Sequence, residues 1–170
     1  DNFIKLYIPI DSEGIEECAK EIFEFMANND ISHQSKIDTM LRNDNFVIRL
    51  NRGDEESLNK IISFITSNEK IKKYLNKTNP FIPNINAIGV INETGITYNG
   101  TISEIIAKYI NEKRSQIKLN VEEFIKYMKN NIYKKEIYAA FEHATSAEAT
   151  YFDSQENIYG YIKIKMNESQ

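Results

Sequence analysis

Residues 31–50 read ISHQSKIDTMLRNDNFVIRL, and the fold turns on how this stretch is parsed. Phe46 to Leu50 is an apolar run holding Val47 and Ile48, closed by Asn51-Arg52-Gly53, which is the signature of a strand and its turn. A first arm over 32–38 precedes it, and a polar excursion joins the two. The stretch also carries His33, Lys36, Arg42, Asp44 and Arg49, the densest set of chemically useful side chains in the chain. Strands are stiff, so cations beside them can be aimed at one point in space. The plainer reading is that charged residues near strand ends are solvated.

Working outward, residues 3–10 place Phe3, Leu6, Ile8 and Ile10 in a strand-like pattern, with Pro9 marking an edge or a strand end. Asp11-Ser12 reads as a helix cap. Ile15, Cys18, Ala19, Ile22, Phe25 and Met26 follow at three- and four-residue spacing and predict an amphipathic helix over 12–28. Asp54 caps a second helix over 54–66, whose buried stripe is Leu58, Ile61, Ile62 and Ile65. Glu69 to Asn76 adds a short helical turn. Lys77 to Asn86, with Pro80 and Pro83, reads as irregular. A buried strand over 86–91 ends at the turn Asn92-Glu93-Thr94-Gly95.

The order β-α-β-β-α-β predicts an α+β, ferredoxin-like core over 3–91, with four strands in one sheet and the helices 12–28 and 54–66 on one face. Ile22, Phe25, Val47, Ile61 and Ile88 are its expected core. Residues 96–166 follow as a C-terminal helical segment and a final strand. A turn over 97–101 leads into a helix over 102–113, with Thr101 and Glu104 at capping-box spacing. Asn120 starts a further helix with Val121, Phe124, Ile125 and Met128 inward. Its signal runs on to Phe141. Tyr159 to Met166, YGYIKIKM, alternates strictly and reads as a strand. The whole, 1–170, is expected to be a single domain.

Composition narrows the functional classes. A hydrophobic fraction of 41% is that of a globular chain rather than a disordered one. A net charge of -4 supplies no global field for nucleic acid, so none is expected as a partner. No apolar run approaches the roughly 20 residues that span a membrane, so no membrane partner is expected either. The one cysteine, Cys18, lies on the buried stripe of the first helix and reads as a small core residue. His33 and His143 lack partners at ligand spacing, so no metal and no cofactor is expected. Neither GxxxxGK[ST] nor GxGxxG occurs. The expected location is the cytoplasm, or another cell if a longer parent chain carries a targeting segment.

Several short segments carry a family resemblance. They are Lys5-Leu6-Tyr7-Ile8, Ser35-Lys36-Ile37-Asp38, Arg42-Asn43-Asp44 before Phe46–Leu50, Asn79-Pro80-Phe81, Gly89-Val90 and Thr97-Tyr98-Asn99-Gly100. Together, over about residues 3–115, they resemble the HopA-type effector family, itself similar to bacterial phosphothreonine lyases. The resemblance implies metal-independent β-elimination of phosphate from a phosphorylated threonine or serine of a peptide or protein. Lys36 would be the base and Tyr7, where the classical lyases carry histidine, the acid. Arg42 and Arg49, with Asp44 and Asn99, would bind the phosphate and the substrate. Such chemistry needs a base for the α-proton, cations for the phosphate and an acid for the leaving oxygen. The pattern departs at Ile102 and Glu104, which stand where the family carries cations. A phosphothreonine lyase-like enzyme is therefore one expectation. A non-catalytic effector or inhibitor module on the same scaffold, binding a protein target, is the other.

Overall fold

The structure is a computed structural model that describes residues 3–38, 45–76, 82, 84–85, 87–93, 95, 97–115 and 120–133. Its centre is strand β1 (Phe3–Ile8). β1 pairs antiparallel with β3 (Phe46–Asn51) on one side and β5 (Ile88–Asn92) on the other. β2 (Gln34–Ile37) pairs with β3, and the two-residue β4 (Asn84–Ile85) pairs with β5. The sheet order is β2-β3-β1-β5-β4, and every pairing is antiparallel. The fold is α+β.

Alternation along the strands creates two faces with different jobs. Ile4, Leu6 and Ile8 of β1 point one way, opposite Leu50, Ile48 and Phe46 of β3. Onto this first face pack α1 (Ile15–Asn28) and α2 (Glu55–Ser67). Ile15, Cys18, Ile22 and Met26 of α1 join Leu58, Ile61, Ile62 and Ile65 of α2 in one core with those strand residues. Both helices thus share one face, as their single apolar stripes require. On the second face, Tyr7, Val47 and Ile91 meet α4 (Tyr98–Lys113) and α5 (Val121–Tyr133) through Tyr98, Ile102, Ile105, Ile125 and Met128. The sheet lies between two helical layers.

Local chemistry sets the boundaries. β1 stops before Pro9, and Ile10 makes an isolated bridge to Leu75. Buried Asn45 clamps this strand end, accepting from the Ile10 N–H at 3.1 Å and donating to the Ile10 carbonyl. The Asp54 carboxylate caps α2 by accepting from the Ser57 N–H, and Asn68 caps the short α3 (Glu69–Lys72) in the same way. The segment after α3 is tied back to the end of β1: Asp11 N–H donates to Tyr74 O and Asn76 N–H to Pro9 O, both at 2.8 Å.

Four expectations need correction. Asp11 does not cap α1: a 3-10 turn over Ser12–Gly14 intervenes, and the Asp11 carboxylate accepts from Asn76 Nδ2 at 2.7 Å instead. α4 begins at Tyr98 rather than Ile102, because Thr97 supplies the cap, accepting from Gly100 N–H at 3.1 Å. Thr101, the expected cap, is buried inside the helix. The stretch over 77–86 is not wholly irregular, since Asn84–Ile85 pairs back on β5 and Ala87 takes the left-handed turn conformation at φ 72°. Finally, Ile22, Val47, Ile61 and Ile88 are buried, but Phe25 is half-buried, its ring stacked on Phe64 with centroids 4.1 Å apart. The continuation of the last helix toward Phe141 and the strand over 159–166 lie outside the described residues.

Candidate functional site

Three of the candidate residues, Lys36, Tyr7 and Arg49, lie on the second face of the sheet. The ladder aligns Lys36 with Val47 and Val47 with Tyr7 across three adjacent strands. One row along, Gln34 aligns with Arg49 and Arg49 with Lys5. Residues opposite one another in a ladder share a face, so Lys36, Tyr7, Arg49 and Lys5 all lie on one side. Lys36 and Arg49 are diagonal neighbours, a relation that separates Cα atoms by roughly 7–8 Å. Lys36 and Tyr7 are two strands apart, roughly 10 Å between backbones, with buried Val47 between them.

Exposure divides this group. Lys36 is solvent-exposed on the edge strand. Tyr7 is buried, its ring 6.4 Å from that of Tyr98. Lys5 is not an open cation, and Arg49, still partly exposed, is paired through its Nε. Lys5 Nζ donates to Glu93 Oε1 at 2.9 Å, and Arg49 Nε lies 3.3 Å from Glu93 Oε2. One carboxylate therefore bridges two cations in a largely desolvated setting, with 9% of the Lys5 side chain and 16% of the Glu93 side chain exposed. Lys5 Nζ also stands 5.7 Å from the Tyr7 ring centre, within reach of a cation–π attraction. The Glu93 backbone is held too, its N–H donating to Phe3 O at 2.8 Å.

The remaining candidates are dispersed. Asn99 is exposed in the first turn of α4. Arg42 and Asp44 lie outside the described residues. Ile102 is a core residue of the second face and Glu104 is exposed, so neither offers a cation. His33 sits just before β2, its ring stacked on Phe23 and its Nδ1 2.7 Å from Ser35 Oγ. Burial holds its pKa below the ordinary imidazole value. Burial first, and Glu17 second, pushes the Cys18 thiol up to about 11, so it stays protonated and inert at neutral pH. Among the described residues, no three His, Cys, Asp or Glu gather to hold a metal ion.

Sequence reasoning missed Lys5 and Glu93. Lys5 carried a faint signal, a lysine between Ile4 and Leu6 in an otherwise apolar strand. Glu93 reads as a turn residue until the register of β1 against β5 brings it to Lys5.

The fold and this face define an α+β protein whose central sheet bears a bridged ion triad under one of its helical layers. The chain belongs to the SepCysE-like family, which it matches over residues 3–168. The match itself supplies no link to the HopA-type resemblance of the short motifs. No curated protein and no solved structure gives a significant match. Among the described residues, no helix is long and apolar enough to cross a membrane.

Proposed function

We propose that this chain is a non-catalytic protein-binding module, in the manner of an effector or inhibitor, rather than a phosphothreonine lyase. The observation that carries the reading is the Lys5–Glu93–Arg49 triad. A phosphate grip needs an arginine whose donors are open to the ligand. Here the Glu93 carboxylate takes up Lys5 Nζ and also pairs with Arg49 Nε, so a negative charge already sits beside both cations. An incoming phosphate would have to displace a largely buried carboxylate and would meet its negative charge at short range. Buried Tyr7 and exposed Lys36 stand on either side of buried Val47, roughly 10 Å apart between backbones.

Mass spectrometry on a mixed phosphopeptide library incubated with the protein tests this. The module leaves every mass unchanged. A peptide that loses one phosphoric acid overturns the reading.

The lyase remains the second reading because one observation favours it: Lys36, Arg49 and Tyr7 do share a face. On that reading Lys36→Ala and Lys36→Arg both abolish elimination while the fold survives, since arginine stays protonated at working pH and cannot serve as a base.

A further inference from the structure

Among the described residues, strand β2 is an end strand of the sheet and nothing pairs with its outer edge. The ladder tells which groups face outward. Asp38 N–H donates to Asn45 O at 2.6 Å, in register with the β2–β3 pairing. In an antiparallel ladder, hydrogen-bonded and non-hydrogen-bonded pairs alternate. Residues 34, 36 and 38 therefore turn their backbone groups toward β3, and Ser35 and Ile37 turn theirs away from the sheet. Ile37 is also one of two large apolar side chains exposed among the described residues, at 37%. An edge that presents paired donors and acceptors beside an exposed isoleucine is a template for another strand.

We propose that this edge pairs with a second copy of the same chain, β2 against β2 in antiparallel fashion about a two-fold axis at Ile37. The occupant and the register follow from charge and parity. The outward groups of Ser35 and Ile37 must face outward groups of the added strand, so only alternate registers are open to two copies. Setting Lys36 against Lys36 places like charges directly opposite, which destabilises a ladder. Shifting by one step sets Ile37 against Ile37 as a hydrogen-bonded pair and Lys36 against Asp38, twice over by symmetry. Lys36 and Asp38 lie two residues apart on one face, so both cross-strand ion pairs form on that face and the isoleucines meet on the other. In that register Lys36 and Asp38 occupy a non-hydrogen-bonded pair, where side chains approach most closely. A carboxylate has about four acceptor positions, so Asp38 can be engaged within its own chain and still accept from the partner's Lys36. A two-fold edge pairing of this kind is isologous and closed, giving a dimer rather than a fibre.

This inference stands apart from the functional reading above, since either a module or an enzyme could pair in this way. The test is sedimentation equilibrium from about 1 to 500 µM, the range in which modest edge pairing registers. Wild type is expected to dimerise. Lys36→Asp and Asp38→Lys should each weaken the dimer by roughly tenfold in Kd, and combining the two should restore it. Ile37→Pro removes an N–H that points away from β3, so it should abolish the dimer while circular dichroism stays native. If Ile37→Pro unfolds the chain, the charge-swap pair decides alone. A monomer throughout this range, or a dimer indifferent to the charge reversals, overturns the proposal.

Discussion

The two faces of the sheet are built from the same strands by simple alternation, yet they are different environments. On the first face, Ile4, Leu6, Ile8, Ile48, Leu50, Ile88 and Val90 meet α1 and α2 in a continuous apolar core. On the second, Tyr7, Val47 and Ile91 share space with Lys5, Arg49 and Glu93. The first face is held by dispersion and water exclusion, which are indifferent to partner identity. The second adds charges, among which largely buried Lys5 depends on Glu93 as its counter-charge. The difference separates the part of the sheet that makes the fold from the part that can carry specificity.

Neighbouring residues on β3 give the sharpest way to break this contrast. Ile48, fully buried on the first face, should cost about 4 kcal/mol when cut to Ala, within the usual range for a core isoleucine. Val47, buried on the second face, should cost about 2 kcal/mol, mostly the transfer of its two methyl groups. Urea denaturation of the two variants measures both. Equal losses would show that the faces are energetically alike.

The triad comes next. Glu93→Gln removes the carboxylate and leaves Lys5 largely buried without its counter-charge, at a cost of about 3 kcal/mol, the low end for a broken buried pair because Arg49 reaches solvent. Adding Lys5→Met should recover most of that loss, since an apolar chain suits the site the cation vacates. A double variant no more stable than Glu93→Gln would show that Lys5 is not the group left stranded.

How much of this was legible in the sequence follows the same division. The first face was readable because its signals are local: Ile22, Ile61 and Ile65 fall at helical spacing, and Asp54 sits at a cap. The second was only partly so. Lys36, Arg49 and Tyr7 could be named as strand residues, but Glu93 joins Arg49 from 44 positions away and Lys5 from 88, through two strand registers. No periodicity carries that information. Phe25, expected in the core, is less buried than its neighbours for a related reason: its helical spacing suits the stripe, but it packs against the margin of the core, its ring stacked on Phe64 of α2. The early start of α4 was hidden because Gly100 disfavours helix, while the Thr97 cap that overrides it is a single hydrogen bond.

Gly14 tests how tightly the first face is closed. It stands between β1 and α1, and a Cβ there would lie 2.2–2.5 Å from ring atoms of Tyr74. The Tyr74 backbone is held, its carbonyl accepting from Asp11 N–H and its neighbour Leu75 bridging Ile10, so relief has to come from its side chain or from Gly14 itself. Gly14→Ala is expected to cost about 2 kcal/mol as overpacking. Pairing it with Tyr74→Ala should relieve the clash, so the two effects are non-additive in a double-mutant cycle. Strict additivity would show that the ring is not what the new methyl meets.

The smallest expected effect is a dependence on pH from the first face. His33 stacks on Phe23, whose ring meets Phe46 edge-on at 5.5 Å between centroids. Burial disfavours the imidazolium, so the folded pKa lies below the unfolded value of about 6.5. As pH falls below that value the unfolded chain takes up the proton first. Stability from this residue is therefore whole above about pH 6.5, declines as pH falls through the folded pKa, and is level below it. Urea midpoints at pH 7.5 and 5.5 should differ less in His33→Gln than in wild type. His143 is present in both chains, so its titration cancels in that comparison. If His33→Gln loses as much stability on acidification as wild type does, the decline belongs to other groups and the stacked imidazole is not its source.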